Sequence, residues 1–155
     1  MHDDRPASSP EELERIAASI DGWAQRQIDE DWVAAVERPE PDKPLWFVRA
    51  LGEQKGVFTV WFMLRQRSLF IECYVMPSPE ERRDEVFEYL LRRNLRMFGM
   101  KFSIGNEDAV YLTAEIHNDD VCDAELDRLL GTAYMETEQS FRPAMRLGFG
   151  SKFKG

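Results

Sequence analysis

The chain is short of the side chains on which most enzymes rely. Its 155 residues include only two cysteines and two histidines. Cys73 and Cys122 make neither a disulfide framework nor a zinc set. With His2 and His117 as the only imidazoles, a thiol–imidazole pair has few ways to form. No apolar run approaches the roughly 20 residues that span a bilayer, so no membrane segment is expected. The opening MHDDRPASSP is polar and acidic with no apolar h-region, which argues against a secretory signal and points to a cytoplasmic protein. Positive charge is also in deficit. Residues 1–44 hold 12 acidic and 5 basic side chains, and the formal net charge of the whole is -9. Such a surface repels phosphate backbones, so nucleic acid is not an expected partner.

Apolar residues are plentiful. Hydrophobic residues make up 43% of the chain, enough for a real core in one domain. We place that domain at 9–149, between a loose tail at 1–8 and a short basic tail at 150–155. SPEELERIAASIDGWAQRQ reads as a helix, with Ser9 as N-cap, Pro10 at the first helical position and Glu12 closing a capping box. Leu13, Ile16, Ile20 and Trp23 form its apolar stripe. Residues 28–36 either prolong this helix or form a separate short element. After the proline-punctuated RPEPDKP come three strand-like runs, LWFVRAL, VFTVWFMLR and LFIECYVM, arranged as a meander. The middle run is apolar on both faces, which predicts cover on both sides. SPEERRDEVFEYLLRRNLRMFG repeats the helix-start pattern and predicts a helix over 79–98, with Ser78 as cap, Glu81 closing the box and Gly99 as the stop. MKFSI and AVYLTAEIH follow as a hairpin. A last helix begins near Asp120–Asp123, carries Leu126, Leu129, Leu130, Ala133 and Thr137 on one face, and contains Pro143, which is placed to kink it. The expected fold is α+β: an antiparallel sheet of about five strands with three helices, in the order α-β-β-β-α-β-β-α.

Chemistry-bearing clusters are scarce. His117 heads HNDD, where strand-end and capping roles account for Asn118, Asp119 and Asp120 without a metal. Cys73 sits in the apolar LFIECYV as a small core residue. No catalytic, cofactor-binding or metal-ligating residue is assigned, and no cofactor is expected.

The helix over 79–98 is the unusual element. At about 100° per residue, Val86, Phe87, Leu90, Leu91, Leu95, Met97 and Phe98 cover about half its circumference, with Asn94 near the middle of the arc. An amphipathic helix on its own sheet needs a stripe of only about 100°. The width predicts a second apolar neighbour, either the chain's own core or a partner subunit. A buried amide must be hydrogen-bonded, across an interface or to the backbone of its own chain.

Four segments carry a family resemblance: LWFVRALGE (45–53), TVWFMLRQRSLFIECYVM (59–76), VFEYLLRRN (86–94) and AELDRLLGTAYMETEQSFRPAMRLGF (124–149). They resemble the YbjN-like proteins, especially the actinobacterial branch. The resemblance implies the fold of the small type III secretion chaperones, which dimerise and bind segments of other proteins. It implies a regulatory role in sensory transduction and no active site. On this basis the expected homodimer contact comprises Val86, Leu90, Leu91, Asn94, Leu95, Met97 and Phe98. The first helix matches the family only in type, so a client protein is expected beside it, in a groove lined by Trp23, Trp32, Trp46, Val48, Phe58, Val60 and Phe62. The expected function is a non-enzymatic protein-binding module. The alternatives are a small-molecule binder or enzyme with an apolar pocket between sheet and helices, and a nucleic-acid-linked regulator.

Overall fold

The computed structural model describes residues 5–154; His2 lies outside the described residues. The chain runs α1 (Pro10–Gln27), β1 (Val33–Glu37), β2 (Leu45–Leu51), β3 (Val57–Leu64), β4 (Ser68–Met76), α2 (Arg83–Asn94), β5 (Lys101–Ile104), β6 (Val110–His117) and α3 (Asp123–Gly148). All strand pairs are antiparallel, in the order β1-β2-β3-β4-β6-β5. The class is α+β, with six strands rather than five. The extra strand is the segment left open between helix and separate element. Asp29, Glu30 and Asp31 follow α1 where the helix dipole is negative, and three acids there oppose continuation. The chain turns, and Val33 to Glu37 pair with β2.

The capping box at Ser9 forms as expected. Ser9 Oγ accepts from the Glu12 N–H at 3.2 Å, and the Glu12 carboxylate accepts from the Ser9 N–H at 3.1 Å. The same signature at Ser78 fails, and α2 starts at Arg83 rather than Pro79. The N–H groups of Glu80 and Glu81 instead donate to the Gly148 carbonyl at the end of α3, at 3.0 and 2.9 Å. The Glu81 carboxylate is taken by Ser151, and Ser78 Oγ accepts from Arg83. With box and amides spent on tertiary partners, the first turn has nothing to close it. Arg82, at φ 47°, then leads into the helix. Gly99 is in the left-handed region at φ 77° but lies beyond the helix, which ends at Asn94.

Trp46, Val48 and Ala50 of β2, Phe58, Val60 and Phe62 of β3, and Leu69, Ile71 and Cys73 of β4 are buried on one sheet face. The helices cover that face. Trp23 of α1 meets Phe62 edge-on at 5.2 Å, and Thr137 of α3 lies 3.6 Å from Cys73 Sγ. The other face corrects the expectation of double cover. On β3, Val57 is exposed and Thr59, Trp61 and Met63 are half-buried. Cover there comes from neighbouring side chains: Phe47 packs edge-on to Trp61 at 5.0 Å, under the guanidinium of Arg49. α3 runs unbroken through Pro143 to Gly148.

The described ends of the chain are tied to the fold. Ser8 N–H donates to the Gln66 carbonyl at 2.8 Å and Arg67 donates to the Arg5 carbonyl at 2.6 Å, so residues 5–8 strap the β3–β4 turn. Lys152 pairs with Glu80 at 2.7 Å, and Phe153 packs on Phe141.

The one-sided core sets a stability contrast. Phe62→Ala should cost about 3–5 kcal/mol in urea unfolding, as a cavity under α1. Val57→Ala, on the open face, should cost less than about 1 kcal/mol.

Candidate functional site

Asn94 closes the last turn of α2 and is spent within its own chain. Its Oδ1 accepts from the Phe102 N–H at 2.7 Å and its Nδ2 donates to the Phe102 carbonyl at 3.3 Å. Phe102 belongs to β5, the outermost strand on that side. One amide side chain therefore makes the pair of bonds that a neighbouring strand would make, and it blocks a rung of an open sheet edge. Lys101 Nζ donates to the Asn94 and Met97 carbonyls at 2.8 and 3.1 Å, completing the end of the helix. Of the two roles open in the sequence, the intrachain one is seen.

The rest of the wide arc divides in two. Val86, Leu90 and Met97 are core. Leu91, Leu95 and Phe98 are 66%, 89% and 76% exposed, the highest values among the large apolar side chains described, and Ile104 of β5 is 55% exposed. Between α2 and β5 lies a groove of about 320 Å³, lined by Phe87, Leu90, Leu91, Phe102, Ile104 and Val110 together with Asn94 and Ser103. The Asn94 amide is engaged, and Ser103 Oγ is bonded to Thr113 at 2.7 Å. The groove is thus an apolar surface with its polar groups already paired. Phe102 and Ile104 escaped the sequence reading. Their alternation in MKFSI marked a strand but not its place at the sheet edge.

The groove expected beside α1 is largely filled; what is left is a polar cleft of about 350 Å³ at the end of α1, lined by Trp23 and Trp32 with Arg26, Glu30, Asp123 and Asp127. Trp23, Trp46, Val48, Phe58, Val60 and Phe62 are buried, and Trp32 is half-buried against Tyr134 with ring centroids 4.5 Å apart. α1 is bolted over them. Trp46 Nε1 donates to Asp21 at 2.7 Å, Trp23 Nε1 donates to Asp127 at 2.8 Å, and Arg26 pairs with Asp123. Asp21 also pairs with Arg38 at 3.1 Å, so this acid works inside the fold rather than on a client rim. Arg93 of α2 reaches Glu136 of α3 at 2.8 Å.

The candidate chemistry resolves into structural roles. His117 Nδ1 accepts from the Asp119 N–H at 3.1 Å, and Asn118 donates to Ser8 Oγ and the Arg65 and Gln66 carbonyls, each at 3.0 Å. Among the described residues no three His, Cys, Asp or Glu side chains are grouped to hold a metal, and no helix is long and apolar enough to cross a membrane. Burial pushes the Cys73 thiol up to about 11, leaving it a poor nucleophile. Lys55 is the strongly shifted cation. Burial pushes it down to about 8. Its Nζ donates to the Tyr74 carbonyl at 2.7 Å and lies 4.8 Å from the Tyr74 ring centre and 5.6 Å from that of Phe141. The Glu138 carboxylate fixes its loop by accepting from three successive N–H groups, those of Glu53, Gln54 and Lys55.

Residues 9–145 match the YbjN family, described as "Putative bacterial sensory transduction regulator". The chain is 30% identical over 117 residues to the "Uncharacterized protein Rv0487" of Mycobacterium tuberculosis, covering 76% of this chain and 64% of that protein. It is 30% identical over 115 residues to "Uncharacterized protein ML2442" of Mycobacterium leprae, covering 74% and 62%. The chain thus spans about two thirds or less of the length of these relatives. Among solved structures, it resembles a chain of the heterodimeric complex ExoU-SpcU from the type III secretion system of Pseudomonas aeruginosa, with TM-score 0.52 and 14% identity. It also resembles a chain in the structure of the Yersinia pestis type III secretion chaperone SycH with a fragment of YscM2, with TM-score 0.52 and 12% identity. In each case 80% of this chain and 98% of the other are covered. At such identities the likeness is one of fold.

Removing the edge plug should be measurable. Asn94→Ala should cost about 1–3 kcal/mol and speed hydrogen exchange at the Phe102 amide, while amides of β2 keep their protection. Lys55 sets a pH test. Below pH 8 both folded and unfolded chains bind its proton. Between pH 8 and the ordinary lysine value of 10.5 the unfolded chain binds more, so stability rises with pH across that window. Urea unfolding of the wild type, compared with Lys55→Met, should show this added slope. A flat difference would mean that the surrounding rings of Phe58, Tyr74 and Phe141 hold the ammonium charged.

Proposed function

The chain belongs to the YbjN family, and on that footing we propose that it is a non-enzymatic protein-binding module, chaperone-like or regulatory in role. The observation that carries this reading is the exposed apolar side chains of Leu91, Leu95 and Phe98 at and just beyond the end of α2, with Leu91 and Ile104 lining the groove between α2 and β5. Contiguous exposed apolar surface beside a concavity is what protein contacts use. A small-molecule site would instead offer a few free polar groups converging in the groove, and here those of Asn94 and Ser103 are already paired. The fold-level likeness to chaperone structures containing protein partners supports the same reading. We assign two partners to the module, a second copy of itself and a client protein. Its two cysteines are unpaired, which suits a reducing, cytoplasmic setting.

The second copy can be tested directly. Light scattering at micromolar concentration should give twice the 18.1 kDa chain mass. Leu95→Glu should return the mass to that of one chain without lowering thermal stability, because Leu95 is outside the core. A wild-type monomer at 100-fold higher concentration would remove the self-association, and an unchanged dimer in Leu95→Glu would remove this patch from it.

A further inference from the structure

Polar atoms buried inside a chain nearly always have a partner. Among the described residues two side-chain atoms do not, His117 Nε2 and Asn118 Oδ1. Asn118 is 2% exposed and lines a cleft of about 260 Å³ between the first half of α1 and the turn that joins β6 to α3. Its existing bonds fix which way the amide faces. Nδ2 donates to the Arg65 and Gln66 carbonyls, which only a donor can meet, so the amide cannot be turned over and Oδ1 is the atom left without a partner. The backbone of Asn118 is spent as well, on the Arg67 carbonyl and the Val121 N–H. His117 does not line the cleft.

The other groups around the cleft fall on two walls. On α1, Arg15 and Ser19 lie one turn apart, both exposed and neither hydrogen-bonded nor ion-paired among the described residues. Glu12, on the same wall, is committed to the Ser9 N–H through one oxygen. On the facing turn, Asp119 joins Asn118. The Asp119 carboxylate is 3.5 Å from His117 Nδ1, but that nitrogen accepts from the Asp119 N–H and so brings no proton to it. Ile16 and Val121 supply apolar surface. One wall thus offers unused donors and the other unused acceptors, one of them buried.

We infer that this cleft binds a free α-amino acid with a small apolar side chain. The carboxylate of the ligand meets the Arg15 guanidinium in a two-point contact, with Ser19 donating to the same group. Its ammonium donates to Asn118 Oδ1 and to Asp119, and its side chain rests on Ile16 and Val121. A ligand with a single charge satisfies one wall and leaves the other unpaired. The volume is below the range of about 300–1,000 Å³ that larger ligands occupy, which suits a molecule of amino-acid size. The occupant joins α1 to the β6–α3 turn and, through the bond from Asn118 to Ser8, to the strap at residues 5–8. The site is separate from the apolar side chains at the end of α2, so the protein-binding module carries a small-molecule input of its own.

Thermal unfolding of the full chain with millimolar L-alanine, L-valine, propionate or propylamine tests the assignment. The two amino acids should raise the midpoint, and the two singly charged compounds should not. In heteronuclear NMR spectra, either amino acid should move the Ser19 backbone and Asn118 side-chain signals and leave those of β5 in place. Arg15→Met keeps the fold, because Arg15 is exposed and has no partner to lose, and it should weaken binding about tenfold or more. Asp119→Asn keeps the N–H that serves His117 and should weaken binding in the same direction. No change in midpoint or spectrum with either amino acid would overturn the site. Equal shifts from propionate or propylamine, or unchanged binding in Arg15→Met, would do the same. So would a crystal grown in saturating L-alanine that shows only an ordered water on Asn118 Oδ1.

Discussion

A six-stranded sheet has two faces, and the helices of this chain cover one of them. That constraint organises the molecule. α3 lies over β4 and β6 at the centre of the covered face, and α1 lies over β1 and β2, with Trp23 reaching Phe62. α2 is left to the margin, where it packs on α3 and reaches β5. A helix at the margin of a sheet has core on one side and solvent on the other. Its apolar arc is wider than its seat, so Leu91 and Leu95 are left outside. The uncovered sheet face is managed by side chains alone, with Arg49 over Phe47 and Arg65 over Phe70 shielding rings that no helix reaches.

The sequence was legible where a feature depends on near neighbours. Ser9 and Glu12 predicted their capping box, and the turn-bounded apolar runs LWFVRAL and VFTVWFML predicted strands, which pair from Leu45↔Met63 to Leu51↔Val57. It misled where a distant residue competes. Ser78 and Glu81 carry the same cap signature, but Gly148 and Ser151 take their partners. A Cβ at Gly148 would come within 3.0 Å of Pro79, which shows how closely the end of α3 is applied to this segment. The arc on α2 told how much apolar surface exists but not which part is buried, because that depends on the width of the sheet beneath. β1 was left undecided because five residues of VAAVE suit either state until β2 is alongside.

The candidate client groove failed for a related reason. The tryptophans of α1 and β2 would line a client groove only if α1, which matches the family in type alone, were loosely held. The acids are what hold it: Asp21 accepts from both Trp46 and Arg38, and Asp127 accepts from Trp23. Each indole N–H in the core therefore has an acceptor, and α1 is fixed by polar bonds at the margins of its apolar stripe. Asn94 shows the converse. An amide that looked exceptional on the greasy face of a helix is an ordinary hydrogen-bonding group serving a strand eight residues later.

The bonds from Glu80 and Glu81 to Gly148 also have a meaning in time. Synthesis runs from the N-terminus at roughly 5–20 residues per second. The segment that launches α2 is made several seconds before the residue that fixes its start. Until Gly148 has left the ribosome and α3 has docked, the first turn of α2 has no anchor and its apolar outer face has no fixed direction. The exposed patch thus acquires its shape last, after the covered face of the sheet has closed. Any contact made through that surface would therefore wait for the fold to be complete.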